Sequence, residues 1–172
     1  MGMDLIGNKP KSEKGDFFRN NVWYWRPLVD FICEKYPDIY EQCTYWGSND
    51  GDGLNEEASK ELATRIKQDI VLGLVAEYSK NHNEWRASLP REACNLCECT
   101  GIRNDDVGVE NGMPTKQLSA EMKILLGRNY GWCNGCDGMG TREAFIAGYP
   151  FCEDNVKEFA EFLENCGGFQ IW

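Results

Sequence analysis

The chain is 172 residues long, 42% apolar and 27% charged, with 28 acidic against 18 basic residues and a net charge of −10. That length and apolar content suffice for one domain with a real core, or for one domain carrying a small insertion, and exclude a disordered tail protein. The acidic excess argues against sequence-independent nucleic-acid binding, which needs cationic side chains to release counterions from phosphates.

The start, Met1-Gly2-Met3-Asp4, lacks the basic and apolar stretches of a secretory signal, and Ile6 stands where a myristoylation signal needs Ser or Thr. No segment approaches eighteen consecutive apolar residues, so a soluble, cytoplasmic protein is expected. Alternation over Met3-Asp4-Leu5-Ile6-Gly7 predicts a short strand. A helix is expected from about Asn21 to Lys35, with Trp25, Leu28, Val29, Ile32 and Tyr36 at helical spacing and Pro37 as its stop. Pro27 is tolerated only near a helix start, which moves the expected N-terminus towards Arg26. Trp46 to Gly53 has the composition of a loop, and its Asn49-Asp50-Gly51-Asp52-Gly53 lacks the distal glutamate of a calcium loop. Asn55 then caps the longest expected helix, in which Ala58, Leu62, Ile66, Ile70, Leu74 and Tyr78 form one stripe to about Lys80, with Gly73 a tolerated weak point. His82, the only histidine, falls in a polar Asn-His-Asn turn that reads as solvated.

Next come Cys94-Asn95-Leu96-Cys97 and Cys133-Asn134-Gly135-Cys136. Two cysteines three apart on a tight turn can aim both sulfurs at one metal, and a second such turn closes a tetrahedron, so Cys94, Cys97, Cys133 and Cys136 are the expected ligands of a zinc ion. Four sulfurs leave no position for water, which makes the zinc structural. Iron is the other metal that four thiolates hold. The remaining cysteines, Cys33, Cys43, Cys99, Cys152 and Cys166, are odd in number, which fits reduced thiols better than a disulfide framework. Between the knuckles a loop around Asn104 to Pro114 and a short helix from Ser119 to about Leu126, ended by Gly127, are expected. After them Asp154 should cap a helix carrying Val156, Phe159, Ala160 and Leu163, ended by Gly167-Gly168, and Phe169-Gln170-Ile171-Trp172 should form a strand able to pair with the first.

The knuckles continue as C-x-x-C-x-C-x-G and C-x-x-C-x-G-x-G, which resembles the cysteine-rich zinc motif of DnaJ-type co-chaperones over Cys94 to Gly140. Glycines after the second sulfur allow positive φ, so that backbone N–H groups turn towards the thiolates. Cys99 stands where the motif has glycine and is read as a small buried residue or an alternative ligand, and no J-domain His-Pro-Asp occurs. The stretches Gly2-Met3-Asp4, Phe18 to Pro27, Trp46 to Gly51 and Cys166-Gly167-Gly168-Phe169 resemble a family of small uncharacterised bacterial and bacteriophage proteins. That resemblance implies a helical host domain, 1–90 and 141–172, interrupted by the knuckle segment 91–140, and implies no activity. The expected fold class is α+β: a mainly helical domain with short terminal strands and an inserted four-cysteine zinc-binding segment.

No nucleophile elbow, phosphate-binding loop, dinucleotide fingerprint or H-E-x-x-H is present, so a binding function is expected before an enzymatic one. The candidate ligand-binding set is Arg19, Asn21, Trp23, Trp25, Arg26, Trp46, Asn49 and Asp50. Aromatic faces can stack on a base, guanidinium groups can chelate phosphate, and Asn or Asp can read ribose or base edges. The same tryptophans could instead fill the core. Two functions follow: sequestration of a small nucleotide-like ligand, in a phage setting a host immune signal, or docking on a host protein through the acidic surface or the zinc segment. A homo-oligomer is compatible with either.

Overall fold

The computed structural model describes residues 2–172. It divides into two compact units, one formed by the chain to Ala87 together with Tyr149–Trp172, the other by Ser88–Gly148. The return to the first unit thus falls at Tyr149, several residues beyond the position 141 that the resemblance implied.

The helical unit opens with β1 (Gly2–Gly7), a short helix α1 (Glu13–Asp16) and β2 (Phe17–Asn21), and closes with β5 (Phe169–Ile171). These three strands form an antiparallel sheet in the order β2-β1-β5, with Leu5 opposite both Phe18 and Ile171. Residues two apart share a face, and Met3, Leu5, Phe18, Phe169 and Ile171 are accordingly buried. The terminal strands pair as the alternation at both ends implied. β2 was not expected, because its inward residues are Phe18 and a polar Asn20, which is buried and donates from Nδ2 to Asn155 Oδ1 at 2.7 Å.

Helix α2 (Val22–Lys35) starts earlier than Pro27 suggested. The Asn21 side chain accepts from the backbone of both Trp23 and Tyr24, at 3.0 and 3.1 Å, and this cap fixes the first turn. Pro27 then sits inside the helix, where its missing N–H is tolerated while its ring joins the buried face with Trp25, Leu28, Phe31 and Ile32. A short helix α3 (Pro37–Tyr40) follows.

The expected long helix is two. Asn55 caps α4 (Glu56–Val71) through a 2.9 Å bond from Ala58 N, and α5 (Leu74–Ser88) follows after a break. Gly73 has φ +76°, a left-handed conformation that glycine adopts without a Cβ clash, so it ends α4. The apolar stripe is a real buried face through Ile66, but Leu74 is exposed.

Helix α8 (Glu153–Asn165) begins two residues before the expected cap: Cys152 occupies the N-cap position without a side-chain bond, and Asp154 lies in the first turn, where its charge complements the helix dipole. α8 packs on α4, burying Val156, Phe159, Ala160, Phe162 and Leu163. Phe159 lies 5.3 Å from Phe18 and 5.9 Å, edge to face, from Trp25. Each such side chain contributes roughly 1.5–3 kcal/mol by burial, and this aromatic cluster is the core of the unit. The ion pairs Lys67–Glu164 and Lys14–Glu161 are exposed and add little. Among the described residues no helix is long and apolar enough to cross a membrane.

The second unit contains β3 (Glu92–Ala93) paired antiparallel with β4 (Thr141–Arg142), α6 (Asp106–Glu110), α7 (Ala120–Leu126) and a 3-10 turn at Phe145–Gly148. α7 is framed as the sequence indicated, with Ser119 Oγ accepting from Met122 N at 3.3 Å and Gly127 at φ +65°. The short helix α6 occupies part of the expected loop, because Asp105 caps it through Gly108 N at 2.8 Å.

Candidate functional site

The two strands β3 and β4 deliver the two knuckles to one place. Cys94 N donates to Gly140 O at 3.0 Å, which extends the β3–β4 ladder into the turns. Each turn then repeats the same bonds. Cys99 N donates to Cys94 O and Gly138 N to Cys133 O, both at 3.2 Å, while Gly101 N and Gly140 N point at Cys97 Sγ and Cys136 Sγ, at 3.3 and 3.2 Å. Positive φ recurs in register: Glu98, Cys99 and Gly101 in one turn, Asp137, Gly138 and Gly140 in the other. Cys99 thus adopts the glycine conformation at φ +67°, at a cost of about 1–2 kcal/mol for a residue with a Cβ. It is exposed, which corrects the expectation of a small buried residue, and its sulfur is not part of the four-sulfur cluster.

Cys94, Cys97, Cys133 and Cys136 are all buried, and their sulfurs lie within 4.8 Å of one another. Cys94 Sγ is 3.8 Å from Cys133 Sγ, and Cys97 Sγ is 3.6 Å from Cys136 Sγ. A tetrahedron with metal–sulfur bonds of about 2.3 Å has edges of about 3.8 Å, so the cluster has the size that a four-coordinate metal requires. Burial pushes the Cys133 thiol up to about 12 and raises Cys136. At Cys94 burial acts the same way, but hydrogen bonds from Cys97, Cys136 and Cys133 outweigh it and the thiol is lowered. One thiol therefore ionises at the expense of its neighbours, and a cation is what allows all four to be thiolates. The two N–H···S bonds spread the remaining negative charge.

Arg128 locks the arrangement. Its Nη2 donates to Gly101 O at 2.9 Å and to Gly138 O at 2.8 Å, one guanidinium clamping both turns. Arg103 binds Asp105 with Nε and Nη2 and reaches Asn134 Oδ1 with Nη1 at 3.1 Å, tying the first knuckle's continuation to the second knuckle. Neither arginine stands out in the sequence, because no local spacing relates either one to the cysteines it supports.

The eight residues of the expected ligand-binding set do not meet around one space. Trp25 and Trp46 are 1% and 2% exposed. Trp25 Nε1 donates to Trp46 O at 2.6 Å and Trp46 Nε1 to Tyr40 O at 2.9 Å, so both rings belong to the core and neither can stack on a base. Asn21 is spent on its helix cap. Arg19 faces solvent beside Asp4 at 3.4 Å. Trp23 and Arg26 do come together, on Tyr149: the Trp23 ring lies 4.8 Å from the Tyr149 ring, and Arg26 Nη1 donates to its hydroxyl at 3.0 Å. Asn49 and Asp50 are exposed on the following loop. The organiser of that loop is Asp52: burial opposes its charge, but the N–H groups of Tyr45, Gly53 and Thr44 hold its carboxyl below the usual range.

A cleft that the sequence did not indicate opens in the helical unit. It has a volume of about 430 Å³ and is lined from α2, α4 and α5, with Phe31, Tyr78, His82 and Trp85 as aromatic walls and Glu34, Asp69 and Glu77 as carboxylates. His82 lies within α5 and not in a turn; it is half-buried, and its Nε2 is 2.9 Å from Tyr149 O, so that nitrogen carries the proton. Its ring stacks on Tyr78 at 6.2 Å. A trace of this was legible: Tyr78, His82 and Trp85 fall on one helical face.

No family model, curated protein or solved structure matches the chain, and the functional reading rests on its own residues.

Proposed function

We propose that this chain is a non-catalytic, zinc-stabilised binding protein that docks on a protein partner through the unit 88–148. The metal reading follows from an all-sulfur donor set, which zinc most often occupies and which leaves no open coordination position. Reduced thiols at all nine cysteines fit a cytoplasmic setting. Elemental analysis of purified protein should give one zinc per chain; iron would colour the protein and replace this assignment.

Helix α7 carries the docking reading. It is capped at both ends, yet none of its residues is buried, and Ile124 and Leu125 are 86% and 62% exposed. Val107, Val109 and Tyr130 of the same unit are exposed as well. A segment held rigid while presenting apolar side chains to solvent has the character of an interaction surface. The alternative, a nucleotide-like ligand on the Trp/Arg group, loses support because Trp25 and Trp46 are enclosed. The bacteriophage resemblance makes a host protein the expected partner. Affinity capture from the host with the intact chain should recover a partner that an Ile124→Asp, Leu125→Asp variant loses by about tenfold, the scale of a lost apolar anchor, with zinc content unchanged. Equal recovery by both forms would refute docking through α7.

A further inference from the structure

We propose that the cleft lined from α2, α4 and α5 binds a small organic cation bearing primary ammonium groups, of which an aliphatic diamine is the simplest form. Its volume, about 430 Å³, lies in the range of small-ligand sites. The walls provide what an alkylammonium needs: aromatic faces at Tyr78 and Trp85, an aliphatic surface at Leu74, and acceptors at Glu34, Asp69 and Glu77.

Two of the carboxylates are oriented by tyrosine hydroxyls. Tyr36 donates its hydroxyl to Asp69 Oδ2 at 2.8 Å, and Tyr78 bonds to Glu34. Burial, then the charges of Glu34 and Asp30, push the Tyr78 phenol up to about 12, and burial and Asp69 raise Tyr36 further, so both phenols remain donors. Each orients an acid.

The cleft already holds one ammonium in this manner. Lys35 Nζ lies 5.6 Å from the Tyr78 ring centroid and 2.8 Å from Glu34 Oε1, placed between a π face and a carboxylate. Lys35 is exposed on a flexible stem, so an incoming ammonium can replace its head group at the same two partners. Three carboxylates against one lysine also disfavour phosphate-bearing ligands. The wider field agrees, because the unit 88–148 has six Lys/Arg against eight Asp/Glu and the helical unit has twelve against twenty.

Isothermal titration calorimetry on the zinc-loaded full chain, with 1,4-diaminobutane as titrant and AMP as the anionic comparison, tests the assignment. Saturable one-to-one binding of the diamine and none of AMP is expected. Glu34→Gln and Glu77→Gln should each weaken binding about tenfold, the scale of a lost charge-assisted hydrogen bond. Glu84→Gln removes the same charge from α5 outside the cleft and should leave affinity unchanged. Equal loss in all three variants would mean general attraction to an acidic surface and overturn the site. So would an absence of saturable heat at millimolar diamine, or binding of AMP.

Discussion

The helical unit and the unit 88–148 bury different kinds of side chain. In the first, Leu5, Trp25, Phe31, Ile32, Leu62, Ile66, Phe159, Phe162 and Leu163 are all at or below 1% exposure and form a continuous carbon core. In the second, the buried hydrophobic residues are the four cysteines with Leu118 and Ala144, and the cysteines form their own cluster. With so few apolar side chains inside, the segment buries little surface to offset the entropy of ordering itself, and a metal held by the four thiolates would supply what the core does not. Its remaining apolar side chains are then not needed inside, which is why α7 can present them outward.

The sharpest way to break this contrast is to remove the metal. Structural zinc is worth on the order of 10–16 kcal/mol in small domains, so chelation or Cys133→Ser should melt the unit 88–148 while the helical unit persists. Limited proteolysis should then cut within 88–148 and spare α4 and α8; loss of the whole chain, or no new cleavage, would show that the units are not held separately. The converse is Phe159→Ala, expected to cost about 3–5 kcal/mol in the helical unit through lost burial and a cavity. Denaturant unfolding should show that loss with zinc content intact. A smaller effect tests the symmetry of the knuckles. Cys99→Gly puts at φ +67° the residue type that the second turn has at Gly138, and relief of the left-handed strain, partly offset by the greater freedom of an unfolded glycine, should stabilise by up to about 1 kcal/mol. Chelator-competition measurements should find zinc affinity equal or higher; a marked fall would give the Cys99 thiol a role at the metal.

What could be read from the sequence is what depends on near neighbours. Asn21, Asn55 and Ser119 announce helix starts because a cap is a bond to a backbone N–H two or three residues on. The knuckles are legible because one turn sets the spacing of both sulfurs. Errors arose where a local rule met a competing tertiary one. The stripe from Ala58 to Tyr78 keeps helical period across Gly73, so periodicity alone cannot reveal that the chain turns there with φ +76°. Pro27 lies within α2 because a firm cap upstream and a buried face outweigh one missing hydrogen bond. Trp25 and Trp46 offered binding chemistry on paper, and their partners, carbonyls at Trp46 and Tyr40, show that their N–H groups serve the core. The clamp at Arg128 and the cleft were hidden for a common reason: each joins residues distant in sequence, which only the fold brings together.

The pairing of β3 with β4 also governs how the chain is assembled. Because Glu92 faces Arg142 across a single ladder, the stretch between them begins and ends about 5 Å apart, the spacing of neighbouring strands. Within the unit 88–148 that stretch is closed as the loop of a hairpin is. Loop closure costs only about 0.6 kcal/mol per doubling of length, so once the neck is pinched the length of chain beyond it matters little. The two-rung ladder acts as a clasp, and the segment beyond it is free to vary in length at little cost.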